Sequence, residues 1–176
     1  MEELNILSHR ENPAKQKLKN IRNLQVNHFN IENLCPNFCP DENQIRLLGE
    51  WILGSQEKFQ RSWNINIIFV TPKMIKDLNR QFFSKTEDTD VISFNIDDGD
   101  PAVGEIYICR QVVARHAKNL KIPFEDELVR IVAHGLYHLL GFEDNTPSQK
   151  KRMTDLEDNA LAAVLGQVER NAQVKE

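Results

Sequence analysis

The sequence lacks any long apolar run, and this absence excludes a helix that crosses a membrane. Such a helix needs about 20 consecutive apolar residues, whereas charged and polar side chains interrupt every apolar stretch of this 176-residue chain. The N-terminal segment, residues 1–20, also lacks the apolar core of a secretory signal peptide. We therefore expect a cytoplasmic protein with no membrane partner.

Cysteine is scarce as well. The three cysteines, Cys35, Cys39 and Cys109, cannot all pair with one another, and a chain of this length forms a sufficient core without disulfides. Three residues separate Cys35 from Cys39, one more than in the usual zinc-knuckle pair, and no second pair follows. We interpret the cysteines as ordinary buried or loop thiols.

Positive charge does not dominate the chain. It carries 22 Lys and Arg residues against 26 Asp and Glu residues, which gives a net charge of −4. Proteins that bind nucleic acid through their overall field are usually basic. A nucleic-acid ligand would therefore have to bind a local basic surface of this protein.

Hydrophobic periodicity divides the chain into a polar arm and one domain. Residues 1–23 are lysine-rich with little periodicity, and we predict a flexible N-terminal extension there, followed by a single domain at 24–170. The patterns predict strands at 24–29, 64–70, 91–96 and 103–109, and helices at 41–59, from Thr71-Pro72, at 110–120, at 124–140 and from Thr146-Pro147. A turn at 97–101 suggests a hairpin. We therefore predict an α+β fold with a small mixed sheet packed with helices.

The predicted helix at 124–140 carries the most informative residues. Its second half is apolar nearly all round, which is typical of a helix buried in the core. His134 and His138 stand four residues apart and therefore share one face, where both can bind the same metal ion. A lone histidine in such a helix is usually a structural residue, but two at ligand spacing would each need a buried hydrogen-bond partner.

A third ligand is available just after this helix. Gly141 allows the chain to leave the helix with positive φ, and Asp144 follows six residues after His138. Two imidazoles and a carboxylate leave one coordination position open, as in a catalytic zinc site. We predict one Zn²⁺ per chain held by His134, His138 and Asp144. Glu143 is the competing third ligand, and it is also a candidate base.

These residues belong to a longer motif, His134-Gly135-Leu136-Tyr137-His138-Leu139-Leu140-Gly141-Phe142-Glu143-Asp144. The motif resembles the signature of the YbeY-type endoribonucleases, in which His-Gly-x-x-His is followed by Leu-x-Gly and a third histidine. The segments 78–94 and 104–108 are similar to two further signatures of that family, in the same order. The resemblance covers about residues 24–165 and makes chance agreement improbable.

The resemblance implies a zincin-like fold whose central buried helix carries the metal ligands. It also implies a metal-dependent, single-strand-specific endoribonuclease in ribosome biogenesis, which matures the 3′ end of the small-subunit RNA. The implied partners are ribosomal RNA and the small ribosomal subunit.

The sequence departs from the family pattern at two positions. Asp144 stands where the family has its third metal-binding histidine, and Phe83 stands where it has an arginine thought to contact the phosphate. Arg80 and Lys85 flank that position and are candidate catalytic substitutes. Glu143 is the candidate base that would take a proton from water.

Two other functions compete with this interpretation. The spacing of His134, His138, Gly141 and Asp144 also resembles the metzincin proteases, but those enzymes have a glutamate base directly after the first histidine. This chain has Gly135 there, so peptide hydrolysis would lack its base. The other alternative is a weakly active or non-catalytic ribosome-assembly factor that retains the fold.

Overall fold

The structure is a computed structural model that describes residues 26–56 and 61–173, with side chains as far as Leu165. The predicted N-terminal extension at 1–23 lies outside the described residues. Within them the chain forms β1 (His28–Asn33), α1 (Glu42–Ser55), β2 (Trp63–Val70), α2 (Pro72–Phe83), β3 (Val91–Asp97), β4 (Ala102–Cys109), α3 (Arg110–Leu120), α4 (Phe124–Leu139) and α5 (Pro147–Gln173).

The four strands form one mixed sheet in the order β1-β2-β4-β3. Strands β1, β2 and β4 are parallel, and β3 runs antiparallel to β4. The predicted α+β class, mixed sheet and hairpin are therefore confirmed. Because β3 lies at the edge of the sheet, one row of its backbone N–H and C=O groups has no neighbouring strand among the described residues.

Strand β2 shows how the sheet separates two layers of core. Its side chains alternate between the faces, as expected for a strand buried on both sides. Trp63, Ile65, Ile67 and Phe69 belong to the main core, whereas Ile68 and Val70 belong to a smaller cluster on the opposite face. Helix α2 covers that smaller cluster through the buried side chain of Ile75.

Helix α4 lies in the middle of the main core, as the sequence predicts. It contacts the sheet through β3 and β4 and also contacts α1, α3 and α5. Gly135 permits its close approach to the sheet, because a Cβ there would lie 2.7 Å from Ile106 Cγ2 and 3.1 Å from Ser93 Oγ. The helical turn that carries both histidines is thus pressed against β3 and β4.

Local signals set most of the helix ends. The Thr71 hydroxyl caps α2 by accepting a hydrogen bond from the Met74 N–H, with Pro72 as the first helical residue. Gly141 follows α4 with φ of +78°, the left-handed conformation that glycine adopts at low cost.

Two predicted elements differ from the structure by more than one residue at a boundary. The first strand covers His28–Asn33 rather than 24–29, because the register with β2 begins where His28 lies opposite Asn64. Residues 24–25 lie outside the described residues. The helix predicted at 41–59 begins at Glu42, with the Asp41 side chain as its cap, and ends at Ser55. Residues 57–60 are not described.

None of the helices in the described ranges combines the length and the apolar character that crossing a bilayer requires. The longest helix, α5, has 27 residues, but lysine, arginine, aspartate and glutamate occur throughout its first half.

Candidate metal centre

Two histidine rings face each other on α4. His134 and His138 lie one helical turn apart, and their Nε2 atoms are 2.8 Å from one another. The rings meet edge to face, with their centroids separated by 4.4 Å. The predicted spacing therefore brings both Nε2 atoms close enough together to bind one ion.

The other nitrogen of each ring has a fixed partner. His138 Nδ1 lies 2.9 Å from the carbonyl oxygen of Phe142, and His134 Nδ1 lies 2.8 Å from Oε1 of Glu157. Because a carbonyl oxygen only accepts, Nδ1 of His138 carries the proton and its neutral Nε2 carries a lone pair. The carboxylate of Glu157 selects the same tautomer for His134.

The tautomers of the two rings indicate whether a cation fits the site. With both Nδ1 atoms protonated, two neutral rings would direct two acceptor lone pairs at each other over 2.8 Å. A proton or a metal ion between them removes that conflict. Histidine ligands of metals commonly donate their second N–H to a carboxylate or a carbonyl, as these two do. The pair therefore fits a metal ion.

Asp144 completes a set of three donors. One ligand atom each of His134, His138 and Asp144 lies within 4.8 Å of the other two. Two imidazoles and one carboxylate suit Zn²⁺ and leave a coordination position open. Glu143, the alternative ligand, is exposed, and its Oε2 accepts a hydrogen bond from Asn145 Nδ2 at 3.0 Å. The geometry therefore favours Asp144 over Glu143.

The electrostatics of the two rings differ. Burial tends to lower the pKa of His134, but its hydrogen bond to Glu157 and the negative charges of Glu157, Asp144 and Asp90 outweigh burial and raise that pKa. Burial and the neighbouring His134 lower the pKa of His138. In the metal-free protein a shared proton would therefore reside on His134, and a cation would compete with that proton more easily as the pH rises.

The histidines open into a cavity of about 720 Å³. Its lining combines the candidate ligands with polar side chains and the edge strand, namely Asn79, Phe83, Lys85, Thr89, Asp90, Val91, Ile92, Ser93, His134, His138, Glu143, Asp144 and Asn145. A cavity with a few convergent polar groups is the usual form of an active site. The candidate ligands and the first residues of β3 thus line the same space.

The structure separates the two predicted basic residues. Lys85 lines the cavity. Arg80 instead pairs with Asp77 at 2.9 Å on the exposed side of α2 and is not among the residues that line the cavity. Of the two substitutes for the family's arginine, the geometry therefore favours Lys85.

Sequence reasoning missed Glu157, the residue that orients His134. Glu157 is only 7% exposed and also accepts a hydrogen bond from Arg130 at 3.3 Å. The available signal was its position on α5, one helical turn after the buried Met153, where an ionised side chain needs partners. Sequence reasoning also missed Asp90, which lines the cavity and whose negative charge helps to raise the pKa of His134.

The similarity to a known family extends over nearly the whole predicted domain. Residues 30–165 match the family described as "Endoribonuclease YbeY". The chain belongs to this family. The relative from Chloroherpeton thalassium, named endoribonuclease YbeY, is 35% identical over 123 residues, which are 70% of this chain and 86% of that protein. A relative of the same name from Ureaplasma urealyticum is 44% identical, over 53% of this chain and 62% of its own length.

A solved structure supports the same relationship. The solution structure of TM1509 from Thermotoga maritima superposes with a TM-score of 0.59 and 29% sequence identity. The similarity covers 81% of this chain and 93% of that one. The YbeY family resemblance predicted from the three sequence motifs is therefore confirmed.

Proposed function

We propose that the protein is a Zn²⁺-dependent endoribonuclease that cleaves single-stranded ribosomal RNA in the cytoplasm, including the 3′ end of the small-subunit RNA. Membership of the endoribonuclease YbeY family makes the chain an RNA-hydrolysing enzyme. The observation that carries the metal dependence is the convergence of His134, His138 and Asp144 at the cavity. Ribosomal RNA and the small ribosomal subunit are the proposed partners.

The bound metal would lower the pKa of water and stabilise negative charge on the phosphoryl oxygens. The chain itself would hold and orient the RNA. Lys85 lines the same cavity as the candidate ligands and would bind the phosphate through its ammonium group. Glu143, exposed at the cavity, would accept the proton of the attacking water.

The protease alternative lacks a base at the position where metzincins carry it. The residue after the first histidine is Gly135, and the space for its Cβ is already filled by Ile106. A glutamate side chain at this position would enter the sheet rather than the cavity. One observation still favours the assembly-factor alternative, namely that Phe83 replaces the family's arginine.

The test uses the full chain and a pair of matched histidine variants. Wild type, His138→Ala and His28→Ala are incubated with a single-stranded RNA and with its duplex, before and after chelation and after readdition of Zn²⁺ or Mn²⁺. His28 is the control because it is exposed on β1, outside the histidine cavity. We expect internal cleavage of the single strand by wild type and His28→Ala, its loss on chelation, and none by His138→Ala.

Three results would contradict the proposal. Intact RNA after incubation with metal-loaded wild type, together with binding to small ribosomal subunits, would favour the assembly factor. Cleavage of casein without cleavage of RNA would favour the protease. Equal cleavage before and after complete chelation would rule out a required metal.

A further inference from the structure

Three phenylalanine rings form a partly exposed aromatic cluster beside the histidine cavity. Phe82 and Phe83 end helix α2 and are 56% and 48% exposed, whereas Phe94 projects from the edge strand β3 and is half-buried. Adjacent large apolar side chains exposed to this extent usually mark a binding surface. Phe83 itself lines the cavity that contains His134 and His138.

Ring contacts with the sheet hold the cluster in place. The Phe83 ring lies nearly parallel to that of Phe94, at 15° with the centroids 5.9 Å apart, and Phe82 packs on Phe94 with a centroid distance of 4.8 Å. Phe94 in turn meets Tyr107 of β4 edge to face at 6.0 Å. These contacts leave nearly half of Phe83 exposed while holding its ring against the sheet.

The end of α2 fixes this arrangement. Ser84 adopts the left-handed conformation, with φ of +56°, and its N–H donates to the carbonyl oxygen of Arg80. The Lys85 N–H donates to the carbonyl oxygen of Asn79, and the Asn79 side chain donates to that of Glu87. The helix therefore stops with Phe83 at the cavity and turns the chain so that Lys85 reaches the same cavity.

The charges of this region indicate which ligand the rings would meet. Lys85 is exposed, and no ion pair engages it within the parts of the chain that the structure describes. A flat apolar ring beside a free ammonium group matches a nucleotide, whose base stacks on aromatic rings and whose phosphate binds cations. The net charge of −4 gives the protein little long-range attraction for RNA, so stacking would supply binding that electrostatics does not.

We propose that Phe83, supported by Phe94, stacks on a nucleobase of the single-stranded RNA beside the phosphate that is cleaved. This inference rests on the proposed endoribonuclease function and names the residue that positions its substrate. A duplex offers no free base face to such a ring, so the same contact discriminates against double-stranded RNA. The surface selects for an unstacked base rather than for one sequence, since every base presents a π-face.

The experiment compares side chains at position 83 on two substrates. The variants Phe83→Ala, Phe83→Leu and Phe83→Trp are assayed on a short single-stranded RNA and on the same RNA with one abasic nucleotide beside the cleavage site. We expect Phe83→Ala to raise KM by about tenfold on the intact RNA, the order of one lost base–aromatic stack. Phe83→Trp retains the wild-type KM, and Phe83→Leu does not, because leucine is apolar but has no π-face.

The abasic substrate separates stacking from a structural role. Removing the base raises the KM of wild type by a similar factor but changes that of Phe83→Ala little, since the contact is already absent. The control is Leu120→Ala, which removes a side chain 60% exposed at the end of α3 and should leave both KM values unchanged. Thermal unfolding of every variant shows whether the fold is retained.

The outcomes also distinguish this inference from the proposed function. If wild type cleaves RNA and Phe83→Ala has the wild-type KM, the stacking contact does not exist while the endoribonuclease function stands. If Phe83→Ala loses the same factor on intact and abasic RNA, Phe83 does not contact the base. If metal-loaded wild type neither binds nor cleaves single-stranded RNA, both proposals are wrong.

Discussion

Oε1 of Glu157 lies 2.8 Å from Nδ1 of His134, although the two residues are 23 positions apart in the sequence. The contact joins α5 to α4 and fixes which nitrogen of His134 faces the cavity. Arg130 holds the other carboxylate oxygen of Glu157 at 3.3 Å. The orientation of the candidate metal ligand thus depends on a residue that lies outside the motif.

Glu157→Gln should weaken metal binding without removing a ligand. The amide lacks the negative charge that fixes the tautomer of His134, and loss of such a partner typically costs about 10- to 100-fold in metal affinity. Calorimetric titration with Zn²⁺ measures the change. The control Asp155→Asn lies on the same helix but pairs with the exposed Lys151. Equal affinities in wild type and Glu157→Gln would show that this carboxylate does not orient the ligand.

The third ligand can be assigned by two single variants. Asp144→Asn should lower Zn²⁺ affinity by at least about tenfold, because a neutral amide oxygen is a poorer ligand than a carboxylate. Glu143→Gln should retain the affinity and lose RNA cleavage, as expected for a proton acceptor. The same titration checks both affinities, and the single-stranded RNA cleavage assay checks the activity of Glu143→Gln. If instead Glu143→Gln loses the metal and Asp144→Asn keeps it, the roles of these residues are reversed.

Gly135→Ala should destabilise the protein by about 1–2 kcal/mol, even though alanine favours a helix. The added Cβ would lie 2.7 Å from the buried Ile106, so α4 must move away from the sheet. The control is Gly54→Ala in α1, where a Cβ meets none of the described residues within 4 Å and the protein should become slightly more stable. Urea unfolding measures both, and equal stability gains would contradict the close packing at Gly135.

Glu127 gives the stability of the protein a pH dependence. Burial raises the pKa of this carboxyl, against the opposing charges of His116 and Arg130, and its Oε2 has no hydrogen-bond partner within the described residues. A raised folded-state pKa contributes stability below the ordinary value for glutamate, and that contribution is lost as the pH rises through the folded-state pKa. Glu127→Gln should therefore match wild type near pH 4 and have the higher Tm at pH 7.

One outcome of these Tm measurements would contradict the prediction for Glu127. If Glu127→Gln is less stable than wild type at pH 7, the ionised carboxylate is held favourably by His116, 4.0 Å away. The pKa of Glu127 in the folded protein would then lie below the ordinary value for glutamate rather than above it.

The sequence predicts the ligand helix well because its signals are local. The spacing of His134 and His138 follows from helix geometry alone, and Gly141 marks the end of the helix by its conformational freedom. The alternating residues of β2 and the Thr71-Pro72 helix start are equally local. These features require no knowledge of the tertiary structure.

The remaining features of the site depend on packing between distant segments. Glu157 reaches His134 only because α5 packs on α4, and Phe83 approaches Phe94 only because α2 covers β3. Arg80 and Lys85 look equivalent in the sequence, yet the left-handed Ser84 between them turns only Lys85 to the cavity. Pairings of this kind leave little trace in a single sequence.

The most direct measurement is the metal content of the purified full chain, determined by elemental analysis for wild type, His134→Ala, His138→Ala and the exposed control His28→Ala. We predict about one Zn²⁺ per chain in wild type and His28→Ala, consistent with a single site of two imidazoles and a carboxylate, and none in the other two variants. Retention of the metal by correctly folded His134→Ala and His138→Ala would contradict a site between these two rings.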